Sequence, residues 1–146
     1  MIKIREAQAD DLTEILNLYS LMFGGGVFEE EEQTRKIWSH VLTDKNYHII
    51  VADEDGQIVS TCTCVIVPNI TYDRRPYAIV ENIVTASEFR AQGLATACLE
   101  EAKRIAQEEN CFRIMLTTGS KLDSTHKFYQ KLGYNKTELT AFSQWL

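Results

Sequence analysis

The stretch from Tyr77 to Ala97 combines the residue types and spacing of a site that binds an anion. A strand-like apolar run enters a short loop, and the loop opens a long helix at Gly93. Small residues stand at Ala91, Gly93 and Ala95, so backbone N–H groups can approach a ligand without side chains in the way. Free amides at a helix start favour a phosphate or pyrophosphate. A tight strand-to-helix connection that uses small residues for packing explains the same pattern, so both interpretations stay open.

Two common phosphate-binding loops are excluded. The chain contains no Gly-x-x-x-x-Gly-Lys-Ser/Thr sequence, and therefore no lysine placed to reach a triphosphate. It also contains no Gly-x-Gly-x-x-Gly sequence, and no strand precedes Gly24–Gly26. We therefore expect neither nucleotide hydrolysis nor nicotinamide redox chemistry.

Length and composition are typical of one soluble domain. The chain has 146 residues, of which 45% are hydrophobic and 25% charged, and we expect a single domain over residues 1–146. The formal net charge of −6 argues against nucleic acid as a partner. No apolar run approaches the roughly 20 residues that span a bilayer, so no membrane segment is expected. The cysteines have no metal-binding spacing and indicate reduced thiols in a cytoplasmic protein without a metal site; they are Cys62, Cys64, Cys98 and Cys111.

Hydrophobic periodicity divides the chain into strands and helices. The strand candidates are Ile2–Glu6, Tyr47–Asp53, Gln57–Val67, Tyr77–Ala86, Cys111–Thr118, Tyr134–Glu138 and Leu139–Leu146. The helix candidates run from Asp10 or Asp11 to about Phe23, from Glu29–Glu32 to about Leu42, from Gly93 to Glu109 and from Leu122 to Leu132. This order predicts an α+β fold with a strand–helix–strand crossover near its centre.

Two motifs carry a resemblance to a known family. Residues 90–95 have the sequence Arg-Ala-Gln-Gly-Leu-Ala, which resembles the Gln/Arg-x-x-Gly-x-Gly/Ala motif of the GCN5-related N-acetyltransferases, the GNAT family. Residues 128–134 have the sequence Phe-Tyr-Gln-Lys-Leu-Gly-Tyr, which resembles the family's Phe-Tyr-x-Lys-x-Gly-Phe/Tyr signature. A strand with Glu81 precedes the first motif and an amphipathic helix follows it, as in the family. On this combination the chain is identified as a member of the GNAT family.

The resemblance implies a fold and a co-substrate. The GNAT fold is a central mixed, mostly antiparallel sheet with helices on both faces, and a splayed strand pair that holds acetyl-CoA. The pantetheine of acetyl-CoA is expected along the strand, and the pyrophosphate at the loop and helix start. The implied cofactor-binding residues are Ile83, Val84, Thr85, Arg90, Ala91, Gln92, Gly93, Leu94, Ala95 and Thr96. Because these residues would bind the cofactor mostly through their backbone, a bulky residue at Gly93 or Ala95 should block the approach of the cofactor to the backbone.

The resemblance also implies two catalytic side chains. Tyr129 matches the tyrosine that commonly protonates the departing coenzyme A thiolate, although a packed aromatic residue explains it too. Glu81 resembles a strand glutamate that removes the proton of the acceptor amine, and burial beside the cofactor would raise its pKa. A carboxylate that pairs with a nearby cation, or that only binds the charge of the acceptor, explains Glu81 as well. Asn82 should point to the opposite face of a regular strand, so it receives no catalytic role.

One departure from the family pattern lies after the strand that ends near Thr118. Many relatives have an asparagine there that contacts the cofactor, whereas residues 117–124 contain none. Ser120, Asp123 or Ser124 would have to substitute for it.

The implied function is acetyl transfer from acetyl-CoA to the primary amine of a small molecule, by direct attack in a ternary complex. Two alternatives stay open: a non-catalytic module that binds or senses acyl-CoA, and a protein or peptide lysine acetyltransferase. The acidic run Glu29–Glu32 favours a cationic acceptor or simply caps a helix. Many relatives dimerise through carboxyl-terminal strands. The apolar ending Phe142–Leu146 is consistent with a homodimer or with a terminal strand packed on its own core.

Overall fold

Five strands form one mixed sheet in the computed structural model, which describes residues 1–146. The strands are β1 (Ile2–Glu6), β2 (Tyr47–Glu54), β3 (Gln57–Val67), β4 (Tyr77–Thr85) and β5 (Ile114–Leu116). They lie side by side in chain order. Neighbours are antiparallel from β1 to β4, and β5 pairs with β4 in parallel. The predicted α+β class and the mostly antiparallel sheet are confirmed.

Helices cover both faces of the sheet. They are α1 (Leu12–Leu21), α2 (Glu32–Thr43), α3 (Leu94–Glu108) and α4 (Asp123–Lys131). Residues of α1 and Trp38 of α2 share a buried core with Ile49 and Val51 on one face of the sheet. On the other face α3 packs on a second core, to which Phe128 of α4 adds. No helix has the length and apolar character that crossing a membrane requires.

The sequence of α3 explains its orientation. Apolar or small residues recur every three or four positions and form a buried stripe, as predicted: Leu94, Cys98, Ala102 and Ile105. On the exposed side Arg104 pairs with Glu101, at 2.6 Å, and with Glu108. The stripe fixes which side of α3 faces the sheet, and the chain connection places its amino-terminal end, with Gly93, at the loop after β4.

The carboxyl-terminal segment differs from its prediction. Neither Tyr134–Glu138 nor Leu139–Leu146 forms a strand. The side chain of Asn135 accepts hydrogen bonds from the amides of Thr137 (2.7 Å) and Glu138 (3.0 Å), which turns the chain at this point. The sequence predicted strands here because the residues of a segment cannot show whether a neighbouring strand is available. In this single chain the segment pairs with none, and Trp145 is fully exposed.

Candidate active site

The sheet opens between β4 and β5. The two strands pair only where Ala78 to Val80 lie opposite Ile114 to Leu116. Beyond Val80, β4 continues to Thr85 without a neighbour on that side. The splayed strand pair is therefore present, and the free edge of β4 begins at Glu81.

A β-bulge interrupts β4 where the sheet opens. Two residues of β4, Asn82 and Ile83, lie opposite the single residue Cys62 of β3, and the preceding pair is Thr63 with Glu81. Asn82 has a left-handed φ of 53°, a conformation that asparagine adopts more readily than most residues. A bulge of this kind re-aims the side chains that follow it.

The bulge brings Asn82 into the site. Val80 is buried in the core under α3, whereas Val84 is buried in the core under α1. In a regular strand these two residues would share a face. Asn82 lies beside Tyr19 of α1 and lines a cavity together with Glu81. The prediction that Asn82 points away from Glu81 is therefore wrong, because it assumed a regular strand.

A cavity of about 200 Å³ fills the gap between β4 and β5. Its walls come from both faces of the sheet and are formed by Met22, Val80, Glu81, Asn82, Ile83, Thr117, Thr118, Gly119 and Tyr129. The two predicted catalytic residues, Glu81 and Tyr129, thus meet in one cavity although they are distant in sequence. A larger cavity of about 570 Å³ lies beside the β2–β3 turn and contains neither of them.

Tyr129 reaches the cavity from α4. Its ring packs edge-on against Phe128 and Tyr134, with centroid distances of 5.1 and 6.2 Å. Burial raises the pKa of the phenol, and the neighbouring Cys62 adds to the rise. Tyr129 is therefore protonated at neutral pH and can donate a proton, while its packing holds the phenol in place.

Glu81 stands on the other side of the cavity as an exposed carboxylate. Burial raises the pKa of Tyr47, and the negative charge of Glu81 raises it further, so the two side chains are neighbours. Glu81 belongs to none of the ion pairs of the protein. A carboxylate paired with a protein cation is thus not observed. Glu81 is free to bind a cationic amine.

The start of α3 presents free backbone amides. Gly93 has a left-handed φ of 80°, and the amide of Ala97 is the first to bond back, to the Gly93 carbonyl at 2.9 Å. The amides of Leu94, Ala95 and Thr96 therefore have no acceptor within the helix. A Cβ at Gly93 would meet no atom within 4 Å, so the left-handed backbone conformation, and not crowding, favours glycine here.

Side chains of the loop hold its shape. Arg90 Nε donates to the carbonyl of Thr85 at 3.3 Å, and Gln92 Nε2 donates to the carbonyl of Glu88 at 3.2 Å. Ala91 has a left-handed φ of 59°. In this structure Arg90 and Gln92 therefore stabilise the turn that leads to the free amides.

The three predicted strand positions have different surroundings. Ile83 lines the cavity. Ser60 Oγ of β3 lies 2.8 Å from Thr85 Oγ1 and 3.2 Å from the carbonyl oxygen of Val84. Val84 and Thr85 are thus tied to β3, and Ile83 is the residue of the three that faces the opening.

Comparison with known proteins identifies the family. The family model described as "Acetyltransferase (GNAT) family" matches residues 12–134. The chain belongs to the GNAT family. This confirms the resemblance drawn from the two motifs, and the match extends over both of them and over every helix of the fold.

Two curated relatives are similar to this GNAT chain. The uncharacterized N-acetyltransferase MJ1207 of Methanocaldococcus jannaschii is 26% identical over 146 residues, which cover 93% of this chain and 62% of the relative. Glucosamine 6-phosphate N-acetyltransferase of Trypanosoma brucei brucei is 28% identical over 83 residues, which cover 57% of this chain and 54% of the relative. The chain thus spans less than two thirds of the length of both relatives.

A solved structure has the same fold along its whole length. It is a protein of Agrobacterium tumefaciens str. C58 that is named as a candidate acetyltransferase. It is 31% identical to this GNAT chain, with a TM-score of 0.92 and coverage of 99% of both chains. The likeness confirms the GNAT fold.

The loop after β5 has its own hydrogen bonds. Ser120 Oγ lies 3.1 Å from Thr125 Oγ1, and Asp123 pairs with Lys127 at 2.8 Å. Neither these residues nor Ser124 line the cavity, whose wall here is Thr117–Gly119. Sequence reasoning missed this wall because it looked for a side chain to replace the family's asparagine. The glycine at position 119 was the available signal of a close approach.

The buried thiols of the protein are neutral. All four cysteines are free, and burial raises the pKa of Cys62, Cys64 and Cys98, so these thiols are protonated. No group of three or more histidine, cysteine, aspartate or glutamate side chains is arranged to hold a metal ion.

Proposed function

We propose that this protein is an acetyl-CoA-dependent N-acetyltransferase that acetylates the primary amine of a small molecule by direct attack in a ternary complex. The observation that carries the proposal is the cavity shared by Glu81 and Tyr129. One side chain can accept a proton from an amine, and the other can donate a proton to a leaving group. The relative that acts on glucosamine 6-phosphate supports a small-molecule acceptor.

The residues present fit acetyl-CoA as co-substrate. The amides of Leu94, Ala95 and Thr96 lack helical acceptors, and they would hold the pyrophosphate with the support of the helix dipole. The edge of β4 beyond Val80 has no partner strand, so an extended pantetheine can lie along it. Bound in this way, acetyl-CoA supplies the thioester carbonyl that the amine attacks.

Two proton transfers complete the reaction. Glu81 accepts a proton from the acceptor ammonium, because only the neutral amine has a lone pair for attack. A nitrogen–carbon bond forms and the carbon–sulfur bond breaks, and Tyr129 donates its proton to the departing sulfur. The nitrogen loses two protons in all. One passes through Glu81 to solvent, and the other reprotonates Tyr129. The products are an amide and a free thiol.

Thiol release from acetyl-CoA is the direct test. The acceptors are a panel of alkylamines, amino sugars, aminoglycosides, aminophosphonates and lysine peptides. We expect acceptor-dependent release with small amines. If only the peptides react, the protein is a lysine acetyltransferase instead. If no acceptor reacts while calorimetry shows that CoA binds, the protein is a binding or sensing module.

Replacement of Tyr129 by phenylalanine tests the role of the phenol. Tyr129→Phe should lower kcat about 100-fold, because general acid catalysis contributes at least that factor. The dissociation constant of CoA, measured by calorimetry, should stay within twofold. Tyr77→Phe is the matched control, since the Tyr77 ring packs on Phe112, at 6.2 Å, and not on the cavity. An unchanged kcat in Tyr129→Phe would contradict the role of general acid.

The carboxyl-terminal segment supports a homodimer. Large apolar side chains of this segment are exposed in the single chain: Leu139, Phe142, Trp145 and Leu146. A second copy of the chain would cover them. Light scattering of the full chain should give the mass of a dimer, and Phe142→Ser with Trp145→Ser should give a monomer. A monomeric full chain would refute this part of the proposal.

We assign the protein to the cytoplasm. Its four cysteines are free, as expected where disulfides are rare. Thiol titration of the chain, isolated from cells under conditions that block exchange, should find all four cysteines reduced.

A further inference from the structure

Four apolar side chains form one row across the sheet. The strand register pairs Tyr47 with Val65, Val65 with Ile79, and Ile79 with Met115. Residues that lie directly opposite one another point to the same face of a sheet. Tyr47 packs against the core under α1 and α2, so the row lies on the face that these two helices cover in part. We call these four residues the apolar row.

The helices stop short of the apolar row. The core under α1 includes Ile58 of β3 and Val84 of β4. These residues lie at the other ends of the two strands from Val65 and Ile79. Val65, Ile79 and Met115 belong to neither of the two cores, and each of them is only partly buried. The sheet therefore has an uncovered area at this end of β3 and β4.

The uncovered area is apolar, although a sheet face that meets only water is usually polar. Antiparallel strands with one wet face alternate apolar and polar residues. Here Cys64 and Ala78 are fully buried under α3, yet their neighbours on the other face, Val65 and Ile79, are apolar as well. Contiguous apolar surface beside a cavity indicates that something is bound there.

The apolar row borders the cavity between β4 and β5 on both strands. Glu81 follows Ile79 by two residues, Thr117 follows Met115 by two residues, and both Glu81 and Thr117 line the cavity. Two residues of a strand span roughly 7 Å, so a small molecule can reach from Glu81 to the row. Glu81 is the one charged residue that lines the cavity, and the row contains none.

We propose that the acceptor is a primary amine with an uncharged apolar body, that Glu81 binds its ammonium group, and that the apolar row binds its body. Charge favours this occupant over an apolar segment of protein. The Glu81 carboxylate has no cationic partner in the chain, and an apolar segment would cover it without pairing it. This inference rests on the proposed acetyltransferase function.

The test compares ethylamine, hexylamine and hexane-1,6-diamine in the thiol-release assay. We expect kcat/KM to be at least about tenfold higher for hexylamine than for ethylamine, because each methylene on apolar surface contributes roughly a factor of two to four. The diamine is as long as hexylamine but would place a second ammonium on the row. Its kcat/KM should be at least about tenfold below that of hexylamine. Calorimetry with CoA bound should rank the three amines in the same order of affinity.

Variants of the row distinguish binding from a structural role. Val65→Thr and Ile79→Thr introduce a hydroxyl and keep a β-branched side chain, which suits a strand. Each should lower the ratio of kcat/KM for hexylamine to that for ethylamine roughly threefold. Val67→Thr is the matched control, because Val67 is a partly buried residue on the same face of β3, two residues farther from the cavity. Its ratio should equal that of the unmodified protein.

The contrary outcomes are equally defined. Equal losses with both amines in Val65→Thr and Ile79→Thr would show a merely structural role and overturn the inference. A changed mass in light scattering with an unchanged ratio would show that a second copy covers the row, and would overturn it too. If amino sugars react and hexylamine does not, the inference fails and the acetyltransferase proposal stands. If no amine reacts, both fail.

Discussion

The proposed cofactor side and the proposed acceptor side of the opening between β4 and β5 are built from different chemical groups. On the cofactor side, the residues from Ala91 to Thr96 offer backbone amides, and the side chains of this loop are small or turned back on the loop. On the acceptor side, Glu81 and Asn82 offer side chains, which the pairing of β4 with β3 brings together in one cavity. A backbone site needs only one short contiguous segment with the right conformation. A side-chain site needs the tertiary structure to bring its parts together.

Gly93→Val should break the cofactor side and has the largest expected effect. Valine disfavours the left-handed φ of 80° and places a side chain in the space above the helix start. Loss of about two charge-assisted hydrogen bonds, at roughly 1.5–3 kcal/mol each, predicts at least a 100-fold weaker affinity for CoA in calorimetry.

Gly56→Val is the matched control for Gly93→Val. Gly56 lies in the β2–β3 turn with a φ of 96°, so valine is strained there too, without contact with the cofactor side. Its affinity for CoA should be normal once the folded fraction is taken into account. Equal losses of affinity in the two variants would show that strain alone, and not the blocked amides, weakens binding.

Glu81→Gln should break the acceptor side with a pH-dependent effect. We expect kcat/KM to fall about 100-fold at neutral pH, because the acceptor must then lose its proton without a base. The deficit should narrow as the pH rises toward 10, where alkylamines become neutral in solution. A pH–rate profile of both proteins measures this, with Glu100→Gln on the exposed face of α3 as the control. A deficit that is the same at every pH would contradict the role of Glu81 as the base.

Asp11→Asn should affect the acceptor side indirectly and has the smallest effect. Asp11 lies just before α1, where its oxygens accept hydrogen bonds from Arg5 at 2.6 and 2.9 Å and from the Gln8 amide at 2.7 Å. We expect a loss of roughly 2 kcal/mol in the free energy of unfolding by urea. Because Asp11 anchors α1, and Tyr19 of this helix lies beside Asn82 in the wall of the cavity, the KM of the acceptor should rise while the KM of acetyl-CoA stays unchanged.

The pH dependence of this effect has a defined sign. The Arg5 guanidinium, and then the Gln8 amide, hold the pKa of Asp11 below its usual range. A carboxyl group whose pKa is lowered by folding stabilises the folded protein at every pH above its ordinary pKa. This stability is lost as the pH falls toward and through the pKa of the folded state. The difference between the protein and Asp11→Asn should therefore be constant near neutral pH and shrink below about pH 4. A difference that grows in acid would contradict this assignment.

Much of the cofactor side could be predicted from the sequence. The segment around Gly93 combines a strand, small residues and a helix in one contiguous stretch, and the structure has these elements in the predicted order. The buried stripe of α3 also follows directly from its spacing. Local conformation depends on local sequence, so such features can be read without knowledge of distant residues.

The acceptor side could not be predicted in the same way. A regular strand predicts the wrong face for Asn82. The bulge that turns it depends on how two strands pair, and no residue type marks a bulge unambiguously. That Tyr19 lies beside Asn82 is known only once α1 lies on the sheet. The prediction of two carboxyl-terminal strands is wrong for a related reason, because a segment becomes a strand only when a partner strand is present.

By itself, the sequence determined the order of the elements from β1 to α4, the family, and the small-residue segment at the start of α3, because each of these depends on contiguous residues. Only the tertiary structure decided that β4 and β5 part after Val80, and that the bulge turns Asn82 toward Glu81. It also decided that Tyr129 reaches the same cavity from the opposite face. These outcomes depend on strand pairing and helix docking, which join residues that have no local influence on one another.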